Sequence, residues 1–140
     1  FAAYPLAVEL RHASWNDPQV FAGLRDRGIA FCNIDQPLFQ DSIAPSDHVT
    51  APLAYARFHG RNCDNWFREA ADRDARYDYL YSERELSLWL CRIEEIAPRV
   101  KRLLIAFNNH HKGKAVKNAF EMYNLLKSSS VNLNIRQVGI

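Results

Sequence analysis

Side chains suited to anion binding and proton transfer follow the apolar stretch AYARF at residues 54–58. Arg57 and Arg61 carry guanidinium groups, which bind phosphate or carboxylate through paired N–H donors. His59 is the acid or base among them, because a histidine side chain exchanges its proton near neutral pH. Asn62 adds an amide that would fix a hydroxyl or a carbonyl group. The pattern predicts a site for a small anionic ligand, with His59 as a catalytic residue.

The other apolar stretches also end in polar side chains, which are Glu9 with Arg11, then Asp35, and finally Asn108 with Asn109. We expect Glu9 or Asp35 to orient His59 or to act as a second catalytic carboxylate. We expect the arginine and the two asparagines of this group to contact the ligand. The stretch at residues 108–115, which leads into the last predicted helix, favours an anion modestly, since a helix N-terminus attracts negative charge.

Several alternatives remain open for these residues. A buried structural network with Glu9–Arg11 and Asp35–Arg57 pairs would explain them without a ligand. A metal-dependent hydrolase or isomerase would use four possible ligands, which are Glu9, Asp35, His59 and His110. The neighbouring arginines would repel a cation, so no metal ligand is predicted and the cofactor stays unknown. A non-catalytic platform for nucleic acid or sugar would use the nearby aromatic residues, which are Trp15, Trp66, Tyr77, Tyr79 and Tyr81.

Alternating strands and helices must position these residues. Strands are predicted at residues 5–11, 29–35, 54–60 and 102–110, and a long loop at residues 36–53. Helices are predicted from Pro18 to about Gly28, after the capping box Ser82-x-x-Glu85, and at residues 114–127. The last helix should have an apolar side made of Val116, Ala119, Phe120, Tyr123 and Leu126, and the tail should be irregular or a short strand. This order favours parallel strands, whose carboxyl ends share one edge and commonly carry the site.

Composition and charge indicate a globular domain and exclude few partners. The chain has 140 residues, of which 48% are hydrophobic and 24% charged, and this suggests one domain over residues 1–140. The net charge of +2 gives little attraction to nucleic acid. Three widely spaced cysteines favour a reducing, cytoplasmic location over a disulfide framework. Neither a membrane-spanning stretch nor a leader sequence is visible, so we expect no membrane partner.

Four segments resemble the YecE-like family, also called domain of unknown function 72, and they read LAVELRHASW, AYARFHGRN, RYDYLYSERELSLW and FNNHHKGKAVKNA. The resemblance runs from about Leu6 to Leu126 and implies a TIM-barrel-like fold. It implies no reaction, because the family has no established activity or catalytic set. A complete (β/α)₈ barrel needs roughly 250 residues. We therefore expect an α/β chain whose parallel βα units form the C-terminal half of such a barrel. A missing N-terminal half or a second chain would supply the rest.

Overall fold

The computed structural model describes residues 4–68 and 74–129. The strands are β1 (Ala7–Val8), β2 (Ala30–Asp35), β3 (Leu53–Phe58) and β4 (Arg102–Phe107). The helices are α1 (Pro18–Asp26), α2 (Cys63–Trp66), α3 (Glu83–Ile96) and α4 (Lys114–Ser128). Short 3₁₀ turns lie at Ala13–Trp15, Ala75–Tyr77, Ala97–Arg99 and His111–Gly113. The tail at residues 130–140, predicted to be irregular or a strand, lies outside the described residues.

The strands form one four-stranded sheet in the order β1-β2-β3-β4, and every neighbouring pair is parallel. The parallel arrangement predicted from the alternating elements is therefore confirmed. β1 is shorter than the predicted strand at residues 5–11, so Glu9 and Arg11 follow the strand instead of belonging to it. The loop after β2 instead pairs with this region, where the backbone N–H of Ile43 donates to the carbonyl of Arg11 at 2.8 Å.

The helices pack against one face of the sheet, which we call the helix-covered face. Phe58 of β3 lies there with Trp89 of α3, and their ring centroids are 4.8 Å apart. Phe31 of β2 meets Phe21 of α1 in an edge-to-face contact with centroids 5.3 Å apart. Successive strand residues point to opposite faces, so Arg57, beside Phe58, lies on the opposite face of the sheet. The Phe58–Trp89 contact thus lies on the opposite side of the sheet from Arg57.

Two helix starts follow from local sequence. Asp17 caps α1 by accepting a hydrogen bond from the Gln19 backbone N–H at 2.7 Å. Ser82 and Glu85 form the predicted capping box at the start of α3, with both reciprocal bonds present. Within the described residues, no helix is long and apolar enough to cross a membrane.

The apolar side predicted for α4 is confirmed at Leu126 and wrong at Val116 and Phe120. Met122 is buried with Ala115, Asn118 and Leu126, whereas Val116 and Phe120 are 55% and 49% exposed. The buried Asn118 explains the rotation, because its side chain accepts from the backbone N–H of Tyr81 and donates to the Tyr81 carbonyl, both at 3.0 Å. A polar residue that satisfies a neighbouring backbone outweighs the wider apolar stripe.

Candidate functional site

A cluster of charged side chains surrounds Glu9 at the carboxyl ends of β1, β3 and β4. The Glu9 carboxylate accepts from Arg11 Nε at 2.7 Å and from Arg57 Nη1 at 2.8 Å. His59 Nε2 lies 3.1 Å from Glu9 Oε1. Arg57 Nε also donates to Asn108 Oδ1 at 2.7 Å. We call these five residues the Glu9 cluster, and it contains the Glu9–Arg11 pair that the sequence suggested.

The Glu9 cluster carries excess positive charge. Burial alone would raise the pKa of Glu9, but hydrogen bonds and charge interactions with His59 and Arg11 lower that pKa to about 2. Glu9 is therefore anionic at neutral pH, and its single negative charge offsets only one of the two guanidinium charges of Arg11 and Arg57. Within the described residues, Arg11 Nη1 and Arg57 Nη2 make no hydrogen bond, and both side chains are part-exposed.

The His59 imidazole is almost fully enclosed, with 1% of its side chain exposed. Its Nε2 lies 3.1 Å from Glu9 Oε1 and 3.2 Å from Arg11 Nη2. Its Nδ1 is buried and has no hydrogen-bond partner within the described residues. When Nε2 carries the proton and donates to Glu9, Nδ1 holds a lone pair that can accept a proton. The geometry is that of a histidine oriented by a carboxylate.

Asp35 belongs to a different cluster, on the helix-covered face of the sheet. Its Oδ1 accepts from Arg61 Nε and from the Tyr81 hydroxyl, each at 2.8 Å. Its Oδ2 accepts from Arg61 Nη2 at 2.5 Å and from Trp89 Nε1 at 2.6 Å. We call Asp35, Arg61, Tyr81 and Trp89 the Asp35 cluster. The expected Asp35–Arg57 pair is wrong, because β2 and β3 place these two side chains on opposite faces.

Arg61 is already neutralised by carboxylates. The hydrogen bond to Asp35 raises the pKa of Arg61, and burial only partly opposes this. A third bond joins Arg61 Nη1 to Glu85 Oε1 at 3.1 Å. Burial also raises the pKa of Tyr81, so its neutral hydroxyl donates to Asp35. Arg61 thus holds the buried Asp35 instead of facing the Glu9 cluster, where a ligand-binding role was expected.

Of the three predicted ligand-binding asparagines, one lies in the Glu9 cluster and two lie elsewhere. Asn62 caps α2 and donates to the backbone carbonyl of Asp78 at 3.1 Å. Asn109 is fully buried and donates to Asn118 Oδ1 at 2.8 Å. Both side chains fix neighbouring backbone or helix positions, and Asn108 alone among the predicted asparagines contacts the Glu9 cluster.

The four proposed metal ligands do not come together. Asp35 is bound within its own cluster, and His110 Nε2 lies 3.4 Å from Asp74 Oδ1. Over residues 4–68 and 74–129, no group of three or more histidine, cysteine, aspartate or glutamate side chains has metal-site geometry. Glu9 is engaged by arginines, which would compete with a cation.

Sequence reasoning missed the partners of Asp35. Tyr81 was named only among the aromatic residues of the alternative nucleic-acid or sugar platform, but it is 2% exposed and hydrogen-bonded to Asp35. Trp89 of α3 is buried, and its indole N–H also donates to Asp35. The chemistry of the residues could have indicated these partners. A buried aspartate needs several hydrogen-bond donors, and Tyr and Trp combine an apolar ring with a donor.

These features define an α/β protein with a parallel sheet, helices on one face and a charged cluster at the carboxyl ends of the strands. The chain belongs to the family described as protein of unknown function DUF72, whose model matches residues 1–138. The YecE-like resemblance is thereby confirmed.

Relatives and solved structures agree with this membership. The UPF0759 protein YunF of Bacillus subtilis is 28% identical over 145 residues, which cover 97% of this chain and 51% of YunF. A DUF72 family crystal structure from Thermotoga maritima is 41% identical with a TM-score of 0.82, covering 89% of this chain and 46% of that one. One from Enterococcus faecalis is 29% identical with a TM-score of 0.82, covering 99% and 53%. The chain therefore spans about half the length of these relatives.

Proposed function

We propose that the Glu9 cluster binds a small anion bearing a phosphate or carboxylate group. The surplus positive charge of the cluster is the observation that carries this proposal. Arg11 and Arg57 are each anchored to Glu9 by one part of the guanidinium group, so their remaining N–H donors are held in place. An anion that accepts from Arg11 Nη1 and Arg57 Nη2 would neutralise the cluster and complete its hydrogen bonds.

The proposed reaction class is hydrolysis or elimination, with His59 as the proton-transfer group. Glu9 holds the imidazole through Nε2, which leaves Nδ1 to take a proton from water or from a carbon beside the bound anion. His59 is also close to Trp66, with ring centroids 6.5 Å apart, so an apolar part of a ligand would have a ring to contact. Binding must open a path to the enclosed Nδ1.

We also propose that this chain forms half of a TIM-barrel-like fold. The relatives are about twice as long as this chain. In the part of the chain that the structure describes, β4 is an edge strand, and its Leu104 is 45% exposed. Val116 and Phe120 of α4 are also exposed. Further βα units, from a longer chain or a second copy, would pair with β4 and cover these side chains. Those units would add the remaining wall of the ligand site.

Calorimetric titration with inorganic phosphate tests the binding proposal. We expect Arg57→Ala to weaken phosphate binding by about 10- to 100-fold, since a charge-assisted hydrogen bond contributes roughly 1.5–3 kcal/mol. The phosphate affinity of Arg57→Lys should lie between those of the wild type and Arg57→Ala, because a lysine keeps the charge but loses the planar donor pair. Arg99→Ala is the matched control: Arg99 is exposed, and its contact is with the backbone carbonyl of Asp47.

Circular dichroism and thermal unfolding must show that each variant is folded. Arg11→Ala provides a second variant if Arg57→Ala does not fold, because Arg11 is 45% exposed. Equal affinity in the wild type and both arginine variants, or an absence of phosphate binding by the wild type, would overturn the proposal.

A further inference from the structure

The three consecutive residues that follow β3 are all linked to Asp35 by hydrogen bonds, either directly or through Tyr81. The backbone N–H of His59 donates to the Asp35 carbonyl at 2.8 Å. The N–H of Gly60 donates to the Tyr81 hydroxyl at 2.8 Å, and that hydroxyl donates to Asp35 Oδ1 at 2.8 Å. Arg61 binds both carboxylate oxygens of Asp35. The Asp35 cluster therefore determines where this segment of the chain lies.

The backbone at Gly60 makes this arrangement possible. Its φ is +89°, a region that residues with a side chain rarely adopt. A Cβ atom there would lie 2.8 Å from Tyr79 Cβ, which is closer than real contacts allow. The turn at Gly60 lets His59 join the Glu9 cluster while Arg61 joins the Asp35 cluster.

We propose that Tyr81 is a positioning residue for His59, and that it acts through the Gly60 N–H. The Tyr81 hydroxyl has one proton, which is directed to Asp35, so its lone pair is directed to the Gly60 N–H. Both groups are buried, so no solvent would replace this bond if the hydroxyl were lost. The Gly60 backbone would then relax, and the imidazole attached to the preceding residue would move relative to Glu9. This role rests on the proposed function only in naming His59 as the proton-transfer group.

Two matched tyrosine variants test the proposal. Tyr81→Phe and Tyr79→Phe each remove a hydroxyl that donates to a carboxylate, since Tyr79 donates to Glu85 at 2.6 Å. The Tyr79 hydroxyl makes no direct hydrogen bond to residues 59–61 and shares only Glu85 Oε1 with the end of the Arg61 side chain, whereas the Tyr81 hydroxyl binds the Gly60 backbone itself. The imidazole signals of His59 are followed by NMR in protein with isotope-labelled histidine, and phosphate affinity is measured in parallel.

We expect Tyr81→Phe to shift the His59 ring signals. It should also weaken phosphate binding by roughly tenfold, because a displaced imidazole would disturb Arg11 and Glu9, both of which contact His59 Nε2. Tyr79→Phe should leave both readouts as in the wild type. Unchanged His59 signals in Tyr81→Phe, or equal shifts in both variants, would overturn the positioning role. If the wild type shows no phosphate binding, the proposed function fails while the His59 signals still decide this inference.

Hydrogen exchange of the wild-type protein keeps the inference testable even if Tyr81→Phe does not fold. The Gly60 amide should exchange slowly, because its N–H is buried and bonded to the Tyr81 hydroxyl. Rapid exchange of this amide, with slow exchange in the neighbouring strand β3, would show that the bond does not hold the backbone.

Discussion

Replacing Glu9 with glutamine should reduce stability in a way that depends on pH. The substitution keeps the shape of the side chain but removes the charge that Arg11 and Arg57 contact. The pKa of Glu9 is lowered from 4.5 to about 2 in the folded protein. Each unit of difference between the folded and unfolded pKa contributes about 1.36 kcal/mol to the free energy of unfolding. The ionised Glu9 therefore stabilises the fold by about 3 kcal/mol at neutral pH.

The sign follows from the lowered pKa. A carboxylate that is more acidic in the folded state stabilises it fully above the unfolded value of 4.5, and the stabilisation is lost as the pH falls toward 2. The wild type should therefore exceed Glu9→Gln by about 3 kcal/mol at pH 7 and by about 1.5 kcal/mol at pH 3.

Urea unfolding of both proteins at the two pH values measures this difference. Glu95→Gln is a suitable control, because Glu95 is an exposed carboxylate of α3. Its substitution should change the unfolding free energy by less than about 0.5 kcal/mol at either pH. A Glu9→Gln difference that is the same at pH 7 and pH 3, or below about 0.5 kcal/mol at pH 7, would refute the electrostatic reasoning.

Further predictions concern the residues that support the site. Gly60→Ala should lower the unfolding temperature more than Gly28→Ala. The reason is that a Cβ at Gly60 would clash with Tyr79, whereas one at Gly28 meets nothing within 4 Å. Equal decreases in the unfolding temperature of the two variants would contradict this prediction. Asp35→Asn should cost about 3 kcal/mol or more in urea unfolding, because it removes a buried charge that Arg61 and two other donors satisfy. A loss below about 1 kcal/mol would show that those donors find other partners.

The sequence predicted the four strands, the helices α1, α3 and α4, and the edge of the sheet at which polar residues gather, but it did not predict the short helix α2. Alternating apolar strands and recognisable helix caps specify parallel βα units, since both depend on nearby residues. Glu9 and Arg11 are two residues apart, so their pairing also followed from local spacing.

The division into two clusters could not be predicted in this way. It depends on where β2 ends relative to β3: Asp35 is in register with Phe58, one residue past Arg57, and so points to the other face. A shift of one residue reverses the face of a strand side chain. The orientation of α4 was missed for a related reason, because Asn118 is fixed by the backbone at Tyr81, far away in the sequence.

The measurement that tests the anion site most directly is an NMR titration of the wild-type protein with inorganic phosphate, observed at the arginine side-chain N–H signals. Among the residues that the structure describes, Arg11 Nη1 and Arg57 Nη2 have no hydrogen-bond partner, whereas Arg61 is bound by Asp35 and Glu85. We predict saturable shifts of the Arg11 and Arg57 signals, with the Arg61 signal unchanged. Shifts at Arg61 without shifts at Arg57, or no saturable shift at any of the three, would contradict the account.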